Sequence, residues 1–405
     1  MKKIGKAEII FLILILGAVI LFVSLEKRHF TNIQPPKIPK ATPDTIWHQH
    51  LRSDLNRALM KKNKFGFNGA LMVGWDNEII YEGYVGYEDF ANNDSITAST
   101  KFQIGSVSKQ FTAVAILQLY ANGQLHLDDS IGKYFPDLPY QGFTIHHLLV
   151  HRSGLSNYIY FIDKIVEDKG KTYTNADIIR LWKAHEPLPY YPPDRRFDYS
   201  NSGYMLLASI IEKVSGMSYP EYMRKNIFEP LGMDDTFVYI AGQNDTLPHL
   251  AEGYKYHWKV VTEAYLNGTY GDKGIYATAR DLFKWDQGLY SETVLPSDTL
   301  QKAFKPMGKP KHFKHNYGYG WRIFEHKGKK TYYHAGWWQG FKTLLIRVPE
   351  YKLTIIVMKN IKTGAMFSRH ELLRIIIDRY LAAPLEALIP DLPQFQQCYI
   401  PIELS

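Results

Sequence analysis

The segment of this 405-residue chain best suited to chemistry is Gly105-Ser106-Val107-Ser108-Lys109. The pattern over 106–122 reads as a helix closed by Gly123. Ser106 then opens its first turn, and Lys109 follows one turn on, on the same face. A serine hydroxyl is a poor nucleophile until a neighbour takes its proton. A lysine can do so only when burial or nearby cations bring its pKa well below ~10.4. A helix N-terminus also offers backbone N–H groups to a developing oxyanion. Ser-x-x-Lys is weak by itself, since Ser24/Lys27 and Ser130/Lys133 repeat it. The first of these abuts an apolar run, the second lies in a loop-like stretch, and neither opens an amphipathic helix.

Two further groups could complete such a site. Tyr199-Ser200-Asn201 follows a loop and precedes a helical pattern. A tyrosine beside a lysine can act as a base or relay a proton to a leaving group. The asparagine can hold the lysine or a substrate amide. Tyr-x-Asn recurs at Tyr120, Tyr173 and Tyr265, so context has to separate the copies. His334-Ala335-Gly336 ends a strand-like run. Its glycine would let a substrate backbone approach, and the N–H of Trp337 would be a second oxyanion donor beside that of Ser106. Lys362-Thr363-Gly364 is a competing candidate for the third group.

These residues need elements to position them. Ile46, Leu51, Leu55 and Leu59 form one helical stripe within 44–62. Residues 69–75 and 78–84 flank Asp76-Asn77 and predict a hairpin. Leu207, Ile210, Ile211 and Val214 are helix-spaced, with Gly216 as a stop, and Thr278 and Asp281 form a capping box. Strand-like runs return at 331–336, 341–348 and 353–358, followed by a helix over about 366–381. Strands at both ends and helical pieces over about 124–290 predict one sheet built from both termini with a helical insert beside it.

The N-terminus differs in kind. Lys2, Lys3 and Lys6 precede an apolar run over 9–23, read as a membrane anchor or a signal segment within 1–30. No small-residue cleavage pattern follows the run, which favours the anchor and places the remainder outside the cytoplasm. Residues 31–43 carry Pro35, Pro36, Pro39 and Pro43 and read as a stiff linker. The folded region is expected over 44–383, and 384–405 is a tail. Composition is that of a globular protein, 45% hydrophobic and 22% charged. Cys398 is the one cysteine, which excludes an intrachain disulfide framework and a Cys-based zinc site. His146, His147 and His151 lack the spacing of a zinc-hydrolase motif, no glycine-rich phosphate loop follows a strand, and a nucleic-acid partner has only the net charge of +8 behind it. No metal, cofactor or nucleic acid is expected.

In order, Ser106-x-x-Lys109, Tyr199-x-Asn201 and His334-x-Gly336 resemble the class C β-lactamase-like serine hydrolase family, which includes penicillin-binding DD-peptidases, D-aminopeptidases and esterases. Flanking stretches share its style, among them Leu127-Asp-Asp-Ser-Ile-Gly-Lys-Tyr-Phe-Pro136, Ile227-Phe-Glu-Pro-Leu-Gly-Met233 and Gly318-Tyr-Gly-Trp321. The resemblance implies an α/β fold with a mainly antiparallel sheet, helices on both faces and a helical subdomain. It also implies that Ser106 is the acylated nucleophile, and that Lys109 and Tyr199 handle protons, in an order it leaves open. Asn201, His334, Gly336 and Trp337 are implied to support the site or bind substrate. In that fold two strands follow the third motif, which selects His334 over Lys362. β-Lactamases and DD-peptidases usually carry a lysine where this chain has His334. The histidine form resembles the D-aminopeptidase and esterase branches, so an ester, a D-amino-acid amide or a peptide is expected before a β-lactam. A non-hydrolysing sensor of cell-wall peptides on the same fold is the competing expectation. Trp337 and Trp338, with Tyr158, Tyr160, Phe161, Tyr190 and Tyr191, suggest an aromatic-walled cleft.

Overall fold

The structure, a computed structural model, describes residues 46–381 apart from 141, 244, 263–264 and 308–315. The expected membrane segment, the proline-rich linker and the tail lie outside the described residues. Among the described residues no helix is long and apolar enough to cross a membrane.

A six-stranded sheet organises the chain in the order β2-β1-β11-β10-β9-β8. Its strands are β1 Gly69–Trp75, β2 Glu78–Val85, β8 Arg322–His326, β9 Lys329–Trp338, β10 Phe341–Val348 and β11 Leu353–Lys359. Every pairing is antiparallel. β1 is joined to β2 by Asp76 and Asn77, both at positive φ (49° and 68°), the backbone that a two-residue hairpin of this twist requires. β1 then pairs with β11, so the two ends of the domain meet in mid-sheet. β8, at the edge, is an addition to the strands expected from sequence. A smaller sheet, also unforeseen, orders β5 Phe102–Gln103, β7 Ile275–Ala277 and β6 Phe237–Val238. A two-stranded ribbon of β3 Tyr87–Asp89 and β4 Asp94–Ser95 completes the strands of the described residues.

Alternation along the strands makes the sheet two-sided. Leu71, Val73, Ile346, Ile355 and Val357 face one layer, where they pack with Leu51, Leu55 and Leu59 of α1 (Ile46–Lys64) and with Leu372, Leu373, Ile376 and Ile377. The last four belong to α10 (Arg369–Leu373) and to the π-type turns that continue it through Leu381. Ala70, Met72, Leu345, Ile356 and Met358 face the opposite, larger core. There they meet α2 (Ser108–Ala121), α6 (Asn201–Ser215) and α8 (Ala279–Gly288). The remaining helices are α3 (Ile145–Leu149), α4 (Tyr158–Ile165), α5 (Asn175–His185), α7 (Tyr219–Met223) and α9 (Ser297–Ala303). Each buried leucine or isoleucine adds about 1.5–3 kcal/mol to this double-sided packing.

The sequence expectation of an amphipathic α2 is corrected. Ser108 to Leu117 are all buried, because the helix runs through the larger core with neighbours on every side. That position shuts the Lys109 side chain, in its first turn, away from water.

Candidate active site

The turn carrying Ser106 is fixed by its neighbours. Gly105–Val107 forms one 3-10 turn between β5 and α2. The N–H of Ile104 donates to the Ile275 carbonyl at 3.0 Å, and the N–H of Ile275 donates to Ser108 Oγ at 3.3 Å. The turn is thus stitched to β7 on both sides of Ser106. On its other flank it touches β9 backbone to backbone. A Cβ on Gly336 would stand 1.9 Å from the Ile104 carbonyl oxygen, and one on Gly105 would stand 2.8 Å from the Trp337 nitrogen. Gly105 also sits at φ +52°. Gly336 is needed for the contact, Gly105 for the contact and its positive φ, and the contact brings the Trp337 amide beside Ser106.

Lys109 is fully buried. Its Nζ lies 3.0 Å from Ser106 Oγ, 2.8 Å from Asn201 Oδ1 and 2.8 Å from the Asp272 carbonyl oxygen. Burial pushes its pKa down to about 7; the Asp272 charge opposes this and the Arg322 charge adds to it. As an ammonium Lys109 donates to all three oxygens; as a neutral amine it keeps its two N–H groups on the pure acceptors Asn201 Oδ1 and the Asp272 carbonyl and turns its lone pair to the Ser106 hydroxyl.

The N-terminus of α6 delivers the second group. Asn201 is its first residue, and Tyr199 precedes Ser200 in the entering loop. The Tyr199 ring lies 5.1 Å from Lys109 Nζ. Burial raises its phenol pKa, and a hydrogen bond with Ser106 pulls the other way. His151, which on sequence was considered as a metal ligand and set aside, underlies this loop. Its ring is 4.2 Å from that of Tyr199, and its Nδ1 accepts the Ser200 N–H at 3.2 Å. Burial, reinforced by the Lys109 charge, holds its pKa well below the usual histidine value.

His334 is buried beneath the site and does not line open space. Its Nδ1 is 2.8 Å from the Ala335 carbonyl oxygen, and its Nε2 is 3.0 Å from the Tyr317 hydroxyl. A carbonyl can only accept, so Nδ1 carries the proton and Nε2 accepts from Tyr317, a neutral imidazole. Burial likewise depresses its pKa, with the Lys109 charge next in importance. Trp337, by contrast, is 54% exposed at the rim. Besides Lys109, a second cationic group lies over these rings: Arg322 of β8, one strand further out, whose guanidinium carbon is 5.3 Å from the Tyr199 ring centre and 5.8 Å from that of Tyr317. Among the described residues no carboxylate pairs with it. Sequence reasoning missed Arg322 because it missed the strand that carries it.

Residues 57–377 match the model of the Beta-lactamase family. The chain belongs to that family. Penicillin-binding protein 4* of Bacillus subtilis (strain 168) is 33% identical over 73% of this chain and 69% of its own length. A D-aminopeptidase of Gluconobacter oxydans (strain 621H) is 24% identical over 76% of this chain and 58% of its own. The solved structure of a penicillin binding protein from Bacillus halodurans superposes with a TM-score of 0.67 at 27% identity, covering 79% of this chain and 96% of that one.

Within this family fold the competing motif falls elsewhere. Thr363 and Gly364 cap the end of β11, where their carbonyls accept from Lys359 Nζ, and Gly364 packs on Gly66. The aromatic residues divide. Tyr160 and Tyr190 are exposed, whereas Tyr158 is buried and faces inward. Its hydroxyl donates to the Asp272 carboxylate at 3.1 Å and accepts from Lys273 Nζ. Neither Asp272 nor Lys273 belongs to the motifs picked out from sequence. Their contact with Lys109 runs through a backbone carbonyl, which no side-chain pattern encodes. His146 and His147 hold Tyr319 and the Thr144 cap, and no metal-binding cluster occurs among the described residues.

Proposed function

We propose that this chain is a serine hydrolase that forms an acyl-enzyme on Ser106, with esters, D-amino-acid amides or peptides as substrates before β-lactams. One observation carries the reading: a fully buried Lys109 amine 3.0 Å from Ser106 Oγ, held there by Asn201 Oδ1 and the Asp272 carbonyl so that its neutral form can turn a lone pair to the hydroxyl. An amine with a pKa of about 7 is a competent base near neutral pH. Tyr199, its phenol held protonated by burial, is the donor and relay. This assigns the order that the sequence left open.

Ser106 Oγ bonds to the substrate carbonyl carbon as its proton passes to Lys109. The negative charge on the carbonyl oxygen is met by the N–H groups of Ser106 and Trp337. Collapse breaks the bond to the leaving group, which takes its proton from Tyr199, itself resupplied by Lys109. Water then attacks the ester, gives its proton to the same pair, and releases Ser106 and the acid. Asn201 and Asp272 hold the amine in place, and His151 and His334 support the Tyr199 face as uncharged rings. A neutral, buried His334 supplies no cation to a substrate carboxylate, which is the reason for ranking β-lactams last. The cation that remains is Arg322, and a carboxylate-bearing peptide would meet it. The D-aminopeptidase and penicillin-binding relatives favour amide or peptide substrates. The apolar run over 9–23 would hold the enzyme on the membrane with its site outside the cytoplasm.

Turnover of p-nitrophenyl acetate, with loss in Ser106→Ala, tests the reading. A panel of D-amino-acid amides and a cephalosporin then ranks the substrates. A stable adduct on Ser106 without turnover would favour a cell-wall-peptide sensor, and an active Ser106→Ala protein would reject the site.

A further inference from the structure

Behind Lys109, on the side away from Ser106, lies a second buried lysine. Lys273 Nζ donates to the hydroxyls of Tyr158 and Thr269 and lies 3.5 Å from Asp272 Oδ2. It also sits 4.6 Å from the centre of the Trp338 ring. The Asp272 carboxylate accepts from Tyr158 at 3.1 and 3.2 Å. Side-chain exposure is 3% for Lys273 and 1% for Asp272. The same Asp272 offers its backbone carbonyl to Lys109. Two amines and a carboxylate are therefore buried together: Lys109, which touches the nucleophile, Asp272, bound to it through the main-chain carbonyl, and Lys273 beside the Asp272 carboxylate. Burying two such groups behind a catalytic amine costs desolvation that an apolar filling would avoid. A packing role alone gives no reason for opposite charges at this spot.

We propose that the Asp272–Lys273 pair is a positioning unit for Lys109: the Asp272 carbonyl aims the amine at Ser106, and the opposed charges behind it balance the amine between its protonated and neutral forms. The Asp272 carboxylate favours an ammonium at Lys109 and the Arg322 charge opposes it; Lys273, which occupies that carboxylate and repels Lys109, adds to the opposition. Other groups face Lys109 from every packed element. Arg322 of β8 is a cation; His151 and His334 are neutral, as argued above; Tyr199, Tyr204 and Asn201 of the α6 region are uncharged. Asp272 is the anion among them, so its partner Lys273 shares with Arg322 the setting of the balance. Burial and the neighbouring Lys109 bring Lys273 itself down to about 8, and the Asp272 charge resists this.

The inference rests on Lys109 being the base, yet its test does not require turnover. The lysine side chains of the intact protein, carrying 13C at Cε, are titrated by NMR, with the Lys109 signal identified by its loss in Lys109→Met. Asp272→Asn should move the Lys109 midpoint down by roughly one pH unit. Lys273→Met should move it up by a similar amount, and Lys273→Arg should leave it close to the parent. The acid limb of p-nitrophenyl acetate turnover should move in the same directions. Midpoints that stay put, or move the same way in Asp272→Asn and Lys273→Met, overturn the proposal. Should Lys273→Met not fold, an unmoved midpoint in the near-isosteric Asp272→Asn protein is sufficient to overturn it. Opposed shifts in a protein that hydrolyses nothing would sink the hydrolase reading and leave the pair's role standing. Turnover with unmoved midpoints would do the reverse.

Discussion

Gly336 passes so close to Ile104 that a Cβ on it would stand 1.9 Å from the Ile104 carbonyl oxygen. The neighbouring atoms are backbone and cannot rotate away. Gly336→Ala must therefore push β9 off the Ser106 turn and carry the Trp337 amide with it. The expected result is a folded protein whose kcat falls by about 10²–10³, the cost of losing one oxyanion donor. Far-ultraviolet circular dichroism and ester turnover on the same sample would check it. Full activity in Gly336→Ala would remove Trp337 from the mechanism.

The protonation of Lys109 fixes the acid side of the pH profile. Its pKa is lowered to about 7, so the reactive neutral amine dominates above that value and the ammonium below it. Acylation should rise as pH passes through about 7 and level off above it. Lys109→Met should abolish acylation. Lys109→Arg should do so too, because a guanidinium cannot give up its proton in this range. A measured rate flat from acid to neutral pH would contradict the assignment of Lys109 as base.

Arg322 tests how a carboxylate would be recognised. Arg322→Gln should lower kcat/KM for carboxylate-bearing peptides by about tenfold or more, the size of one charge-assisted hydrogen bond. Neutral esters should keep their maximal rate. Their acid limb should move to higher pH, because removing this cation lets Lys109 hold its proton more tightly. Equal losses on both substrate types would show that Arg322 supports the Tyr199 ring and does not meet the substrate.

Away from the site, Arg347 Nε lies 3.1 Å from Asp286 Oδ1, with both side chains buried between β10 and α8. Arg347→Met strands an acid in the core and should cost about 3–5 kcal/mol, read by urea unfolding. Replacing both residues by apolar ones should recover most of that loss. A double variant no better than Arg347→Met would mean that the pair's cost lies in packing.

What the sequence disclosed was local. The stripe of Leu51, Leu55 and Leu59 and the Asp76-Asn77 turn announce α1 and the first hairpin, because period and turn chemistry sit within a few residues of each other. The three motif groups were legible for the same reason. β5, β6 and β7 were not, since strands of two or three residues carry no period. β8 hid because, as an edge strand, it buries only Ile323 fully. His151, Asp272 and Lys273 were underread, for their meaning lies in partners 49 to 163 positions distant, one of them held only by a main-chain oxygen. The expectation that Tyr158 lines a cleft failed on the same count: its neighbours turn it inward.

The central ladder joins Gly69 to Lys359. β1 finds β2 at once through its hairpin, but its other edge waits about 290 residues for β11. β8, β9 and β10 must be laid onto that edge through β11, so a product lacking its last two strands would leave two separate ribbons, β1–β2 and β8–β9, with nothing between them to hold the Trp337 amide against the Ser106 turn.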